Sequence, residues 1–263
     1  MDKREVIARL SEEESERMLL SRLWDKARLC RERNIPAHTA FLSPREQALA
    51  RQFFTIQGVE NLRYWGGYPQ AERQQIHFLP DWAEEPQYSA VTAICAQWYA
   101  SESLTHRDLL GSLMGAGITR ESVGDILVRA GDHRADILVT DTIAPYLLEH
   151  WDCAGRVHLH CSVLPSDGIQ PPEITVKEIR DTVSSLRLDN ITAAAFSLSR
   201  SRAQEAVDSG RVEINWINAA KGDKPVAQGD TITVRGLGKC RITWVGQPNQ
   251  KGRYPVVIQR FLS

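Results

Sequence analysis

Residues 88–164 carry two kinds of apolar pattern in a set order. "YSAVTAICAQWY" is a strand-like run. "THRDLLGSLMGAG" has helical spacing, with Thr105 placed to cap its start and glycine to end it. "VGDILVR" and "HRADILVT" read as short strands around "AGD", a hairpin signal. "DTIAPYLLEHWD" reads as a helix and "RVHLHCSVL" as a last strand. Few topologies suit such a series, because each strand must pair and each helix must cover a sheet face. The order strand, helix, strand, strand, helix, strand is that of the split βαβ, or ferredoxin-like, unit.

The flanks differ in kind. Residues 1–33 predict a helical pair, with Ser11 and Glu14 at capping-box spacing and Leu19, Leu20, Leu23, Trp24 and Ala27 at helical intervals. Ser43 and Pro44 occupy the cap and first position of another helix. "VENLRYWGGYPQAERQQIHFLP" follows as strand, glycine turn and strand. "PSDGIQPPE", residues 165–173, is a proline-rich joint. Beyond it "TVSSLRLDNITAAAF" and "SRSRAQEAVDSG" predict two helices, the second capped by Ser199 and stopped by Gly210. "RVEINW" alternates as a strand with Val212, Ile214 and Trp216 on one face. "DTITVRG", "KCRITWVG" and "YPVVIQRF" are further strands. The expected fold class is α+β. It comprises an N-terminal helical and hairpin region (1–80), a ferredoxin-like middle domain (81–170) and a small C-terminal domain of helices followed by strands (174–263).

Charge separates these parts. Residues 182–263 hold 12 Lys+Arg against 6 Asp+Glu, a balance of +6, while residues 1–181 hold 20 against 27, a balance of −7. A basic module on an acidic body is the footprint of a nucleic-acid binder, although a solvated surface gives the same count. No apolar run is long enough to span a membrane, and the N-terminus lacks an apolar signal core. The five cysteines form no CxxC pair, so a reducing cytosol is expected, with no disulfide framework and no zinc ribbon.

"SLSRSRAQEAVDSG" raises a physical question. The positive end of a helix dipole favours acids, yet Arg200 and Arg202 stand in the first turn. An external anion would supply the missing charge. The surrounding residues resemble the RNA-binding domain named after the fourth small-subunit ribosomal protein, the S-four domain. Its pattern appears as Arg187, Leu188, Asp189; Ser201, Arg202, Ala203 and Ala206; Gly210, Val212, Ile214 and Asn215; and Gly229, Asp230 and Ile232. The resemblance implies a cationic face for structured RNA, and arginine's planar fork suits phosphate. The candidate contacts are Arg187, Arg200, Arg202, Arg211, Lys221, Lys224, Arg235 and Lys239. Asn215, Asp189 and Asp230 are expected to be turn and brace residues.

Nearly the whole chain is similar to the YlmH family, through "FLSPREQALARQFF", "GGYPQAER" and "HRDLLGSLMGAGITRESVGDILVR". The resemblance implies a cytoplasmic, ribosome-associated and non-enzymatic RNA-binding factor of quality control, without cofactor or metal. It would bind ribosomal RNA and peptidyl-tRNA on the large subunit and assist alanine tailing by the tailing factor. A monomer is expected. His106, Arg107 and Arg120, with the Gly115–Gly117 loop, offer a second RNA or ribosomal contact, or else a helix cap and tight loop. Arg73 and Tyr68 in "GGYPQAER" sit on an exposed loop in one reading and in a plain hairpin turn in the other.

Other readings compete with this one. An S-four RNA-modifying enzyme, of pseudouridine synthase or methyltransferase type, would put that domain ahead of a large catalytic one, whereas here it follows the other domains. A scaffold linked to cell division, recruiting partners through the acidic N-terminal region, is compatible with RNA binding. "HLHC", residues 158–161, would place His158 and His160 on one strand face with Cys161 opposite, too few convergent ligands for zinc. "GLGK" lacks phosphate-loop spacing and no GxSxG elbow occurs.

Overall fold

The computed structural model describes residues 2–86, 89–99, 101–165, 168–169 and 175–262. Tyr88, at the start of the first strand-like run, and Ser166, Asp167 and 170–174 of the proline-rich joint lie outside the described residues. The protein mixes helices and sheets in two compact units, Met1–Pro172 and Glu173–Ser263.

The first unit opens with α1 (Lys3–Leu10) and α2 (Glu14–Arg33). The expected Ser11–Glu14 capping box does not form. Ser11 already closes α1, its N–H donating to Ile7 O, and Glu13 is the cap of α2. The Ser11 hydroxyl accepts from Glu13 N at 3.0 Å and donates to the buried Glu16 carboxylate. After β1 (Ala37–His38), α3 (Pro44–Gln57) begins with a complete capping box between Ser43 and Glu46, and Pro44 stands in the first turn. β2 (Leu62–Trp65) and β3 (Gln75–Phe78) complete an antiparallel sheet of order β1-β3-β2. Leu20, Leu23, Leu49, Phe53, Phe54, Ile76 and Phe78 form its core with the helices.

The same unit continues with β4 (Val91–Gln97), α4 (His106–Gly115), β5 (Val123–Arg129), β6 (Arg134–Thr140) and α5 (Ala144–His150). Thr105 caps α4 through a box with Asp108. The run "RVHLHCSVL" is not one strand. It divides into β8 (Val157–His158), which forms a hairpin with β7 (Cys153–Ala154), and β9 (His160–Leu164). His158 and His160 therefore lie on different strands, on either side of the buried Leu159. The main sheet has the order β5-β6-β4-β9, with every neighbour antiparallel. α4 and α5 bury Leu109, Leu113 and Leu147 against Ile94, Ile137 and Val139 on one face.

The second unit contains β10 (Val176–Val183), α6 (Leu188–Phe196), α7 (Arg200–Asp208), β11 (Val212–Ile214), β12 (Ile217–Asn218), β13 (Thr231–Val234), β14 (Gly238–Val245) and β15 (Tyr254–Phe261). They build a sheet of order β10-β15-β14-β13-β11-β12. Two expectations change here. The helix predicted from Thr182 starts only at Leu188, because Thr182 and Val183 end β10, paired with Pro255 and Tyr254. The Ser184 and Ser185 hydroxyls accept from the Asn190 amide at 3.1 and 2.7 Å, a local alternative to helix. Trp216 is not on the face of Val212 and Ile214. Asn215 and Trp216 adopt φ 49° and 63° and turn the chain from β11 into β12.

Candidate nucleic-acid interface

Asp189 organises the start of both helices of the second unit. Its side chain is 3% exposed and receives Arg187 Nε and Nη2 at 3.1 and 3.0 Å, a forked pair. Arg200 Nε donates to the same carboxylate at 3.2 Å, and Asn190 N at 2.8 Å. Burial works against the ionised carboxylate, but hydrogen bonds from Arg187 and then Arg200 outweigh it, so the carboxyl lies below its usual range. The charge puzzle of the α7 start thus has two answers. Arg200 has an internal anion, correcting the expectation that one from outside serves both arginines. Arg202 is exposed, and its side chain makes no hydrogen bond or ion pair among the described residues.

A loop completes this face. Leu188 N donates to Lys224 O and Asp189 N to Gly222 O, both at 2.9 Å. Gly222 is buried beside the end of the Gln204 side chain of α7, so the loop also meets that helix. Lys221 and Lys224 are exposed there and have no side-chain partner among the described residues. Sequence reasoning passed over Gly222 and Gln204. The glycine between two lysines in "KGDK" was the available signal.

The other three C-terminal candidates lie elsewhere in the unit. Arg235 N donates to Arg211 O at 2.9 Å, beyond the opposite end of α7, where Arg211 Nε also donates to Ser209 Oγ. Cys240 and Ile242 face the helices, so alternation puts Lys239 on the opposite side of the sheet, over the Phe261 ring at 5.1 Å. Of the eight cations, Arg187 and Arg200 share the Asp189 carboxylate, and the loop bonded to the start of α6 carries Lys221 and Lys224; Arg202, two residues and so about 200° round α7 from Arg200, is on another side of that helix, and Arg211, Arg235 and Lys239 lie apart. Asn215 braces the module: its Nδ2 donates to Asp230 Oδ1 at 2.8 Å, and its Oδ1 accepts from Thr231 N at 2.9 Å.

In the first unit, Arg73 and Arg120 turn inward. Arg73 donates to the carbonyls of Val123, Phe41 and Arg120 at 2.9–3.2 Å, and Arg120 to those of Val123 and Gly124 at 2.6 and 3.2 Å. Burial, then the neighbouring guanidinium, lowers the pKa of Arg73, and burial lowers that of Arg120. Tyr68 is buried and donates to Asp125 Oδ2 at 2.7 Å, while Glu72 N and Arg73 N donate to the same carboxylate at 2.7 and 3.0 Å. The exposed-loop reading of Tyr68 and Arg73 is corrected, and Arg120 is no outward contact: the glycine loop and β5 lock together. Gly124 fits because a Cβ there would meet the Phe41 ring at 2.7 Å. His106 and Arg107 are exposed in the first turn of α4. Ala116 caps that helix, its N–H donating to Ser112 O, and Gly117 follows at φ 83°.

Comparison with known proteins adds three findings. Residues 15–81 match the family described as "YlmH, N-terminal", and residues 96–167 the one described as "Putative RNA-binding domain in YlmH". Over 247 residues the chain is 30% identical to the ribosome-associated protein quality control protein P2 of Bacillus subtilis (strain 168), covering 93% of this chain and 95% of that protein. The fold is similar to that of the cell division protein ylmH from Streptococcus pneumoniae, with a TM-score of 0.50 and 21% identity over 61% of this chain and 98% of that one.

Proposed function

The chain belongs to the YlmH family, and from that membership we propose that it is an RNA-binding factor acting on the ribosome in the quality control of stalled nascent chains. The observation that carries this reading is the cationic face at Asp189. Arg187 and Arg200 are held by the buried carboxylate, the exposed Lys221 and Lys224 sit on the loop bonded to the start of α6, and Arg202 is exposed in the same first turn of α7, these last three without internal partners among the described residues. Preset cations lose little side-chain freedom on meeting a phosphate, and unpaired ones gain a counter-charge. The relative's name, which places that protein in ribosome-associated quality control, supports the same role here.

The finer reading is as follows. The second unit is an S-four-type domain that grips ribosomal RNA and peptidyl-tRNA on the large subunit. The ferredoxin-like reading of residues 81–170 is supported by a sheet whose strands, numbered within the domain, run 2-3-1-4 with both helices on one face. The protein acts as a cytoplasmic monomer and aids the alanine-tailing factor by binding rather than by catalysis. Phosphate contacts fix position and carry most of the affinity, so the face works without a catalytic group.

Sucrose-gradient sedimentation of lysates tests this. Wild type should travel with the free large subunit, and Arg202→Ala/Lys221→Ala/Lys224→Ala should stay at the top. If wild type also stays at the top, or the triple variant still co-sediments, the reading fails.

A further inference from the structure

The four-stranded sheet has a second face. α4 and α5 cover the first. On the second, Phe41, Tyr68 and Ala71 pack over Ala93, Leu127 and Leu138 at one end. At the other end the pairing aligns Arg129, Arg134, Gln97 and His160 in one row across all four strands. Two residues beyond Gln97, Tyr99 is 69% exposed, with its ring edge-on to His160 at 6.2 Å. Behind the row lies Asp136, fully buried, receiving Arg129 Nη2 at 3.0 Å and Arg134 Nε at 2.8 Å.

We propose that this end of the sheet binds a single-stranded RNA segment, with a base stacked on Tyr99, His160 at that base's edge and a phosphate at Arg134. An unpaired base offers a flat π-face to exposed aromatic rings, and an extended backbone brings phosphates to guanidinium forks. The row contains no carboxylate; Asp136 is in the row behind, already neutralised, and its task is to hold the two forks in place. Gln97 is exposed between the forks and the rings, with an amide that both donates and accepts at a base edge. All five residues fall within the segment 96–167. A duplex suits the site poorly, because its bases are stacked inside and closed to the rings. His106 and Arg107, on α4, belong to the opposite face. The site shares no residue with the face at Asp189, so the two readings can fail independently.

The test uses full-length protein and a fluorescein-labelled ten-nucleotide uridine RNA, read by anisotropy. The C-terminal face is first disabled by Arg202→Glu/Lys221→Glu/Lys224→Glu. This protein should still bind the oligonucleotide, and adding Tyr99→Ala should weaken binding about tenfold, the size of one lost stack. Tyr99→Phe keeps the ring and should restore it. Absence of binding after the C-terminal change, or residual binding indifferent to Tyr99→Ala, overturns the proposal. So does residual binding displaced by a poly-glutamate peptide and unaffected by Tyr99→Ala, which marks a general anion surface. Since Tyr99 and Gln97 are exposed, Gln97→Ala is a second variant that leaves the core intact, and it should weaken binding severalfold.

Discussion

Arg200 reaches back eleven residues to Asp189, Nε to Oδ2 at 3.2 Å, and so ties the first turn of α7 to the first turn of α6. Arg187 completes the fork on the same carboxylate. The pair makes one object of two short helices, and both guanidiniums remain partly exposed while their orientation is set by a buried acid.

Removing that acid should cost stability as well as binding. Asp189→Ala is expected to destabilise the second unit by about 2 kcal/mol, less than a fully buried pair would because both arginines keep water contact. Urea unfolding followed by tryptophan fluorescence measures this. Because the folded pKa of Asp189 is depressed, its contribution is fully present above the ordinary value of 3.8 and is lost as pH falls below that value through the folded pKa. The variant should lack that acid-limb loss.

Binding to structured RNA should weaken steeply with salt. With about five phosphate contacts, log K against log salt should have a slope of roughly −3 to −5. Lys224→Ala should reduce its magnitude by about one, the signature of a single lost phosphate contact. A slope near zero in wild type would remove the electrostatic basis of the proposed function.

Arg73 and Asp125 should matter for stability and not for RNA. Asp125→Ala leaves the donors of Tyr68, Glu72 and Arg73 without their acceptor, at an expected cost of about 2 kcal/mol. Calorimetry of the full chain should show a lower Tm for the first unit, and the RNA salt slope should be unchanged. A loss of RNA affinity at unchanged stability would return Arg73 and its loop to the list of contacts.

His77 supplies a pH test in a different window. It is buried beside His38, and burial lowers its pKa from 6.5 to about 4. A histidine buried neutral binds fewer protons folded than unfolded, so its stability contribution is complete above 6.5 and declines as pH falls toward 4. The decline approaches about 1.4 kcal/mol per pH unit at most. Urea midpoints at pH 7 and pH 5 should differ in wild type, and less in His77→Gln.

Much of this architecture was readable from local pattern. Ser43, Pro44 and Glu46 announce α3, Thr105 announces α4, and Ser199 and Gly210 bracket α7, because caps act within one turn of chain. β10 was not readable. "VKEIRDTV" alternates no apolar residues, since an edge strand of this kind is mostly exposed and is held by its ladder to β15. The candidate site was half legible. Arg200 and Arg202 look alike in the chain, and their difference depends on a carboxylate eleven positions away.

By itself the sequence determined most of the helices and many of the strands, where charge accumulates and which motifs tie the chain to its family, since these follow from spacing, capping and composition. Only the tertiary structure decided which arginines already have a partner within the fold. Arg73, Arg120 and Arg200 are each claimed by a partner from elsewhere in the fold, by carbonyls of β5 for the first two and by Asp189 for the third. Arg202, Lys221 and Lys224 are not. The reason is physical: a guanidinium's availability depends on whether an acceptor reaches it through space, and that distance is a property of packing rather than of chain order.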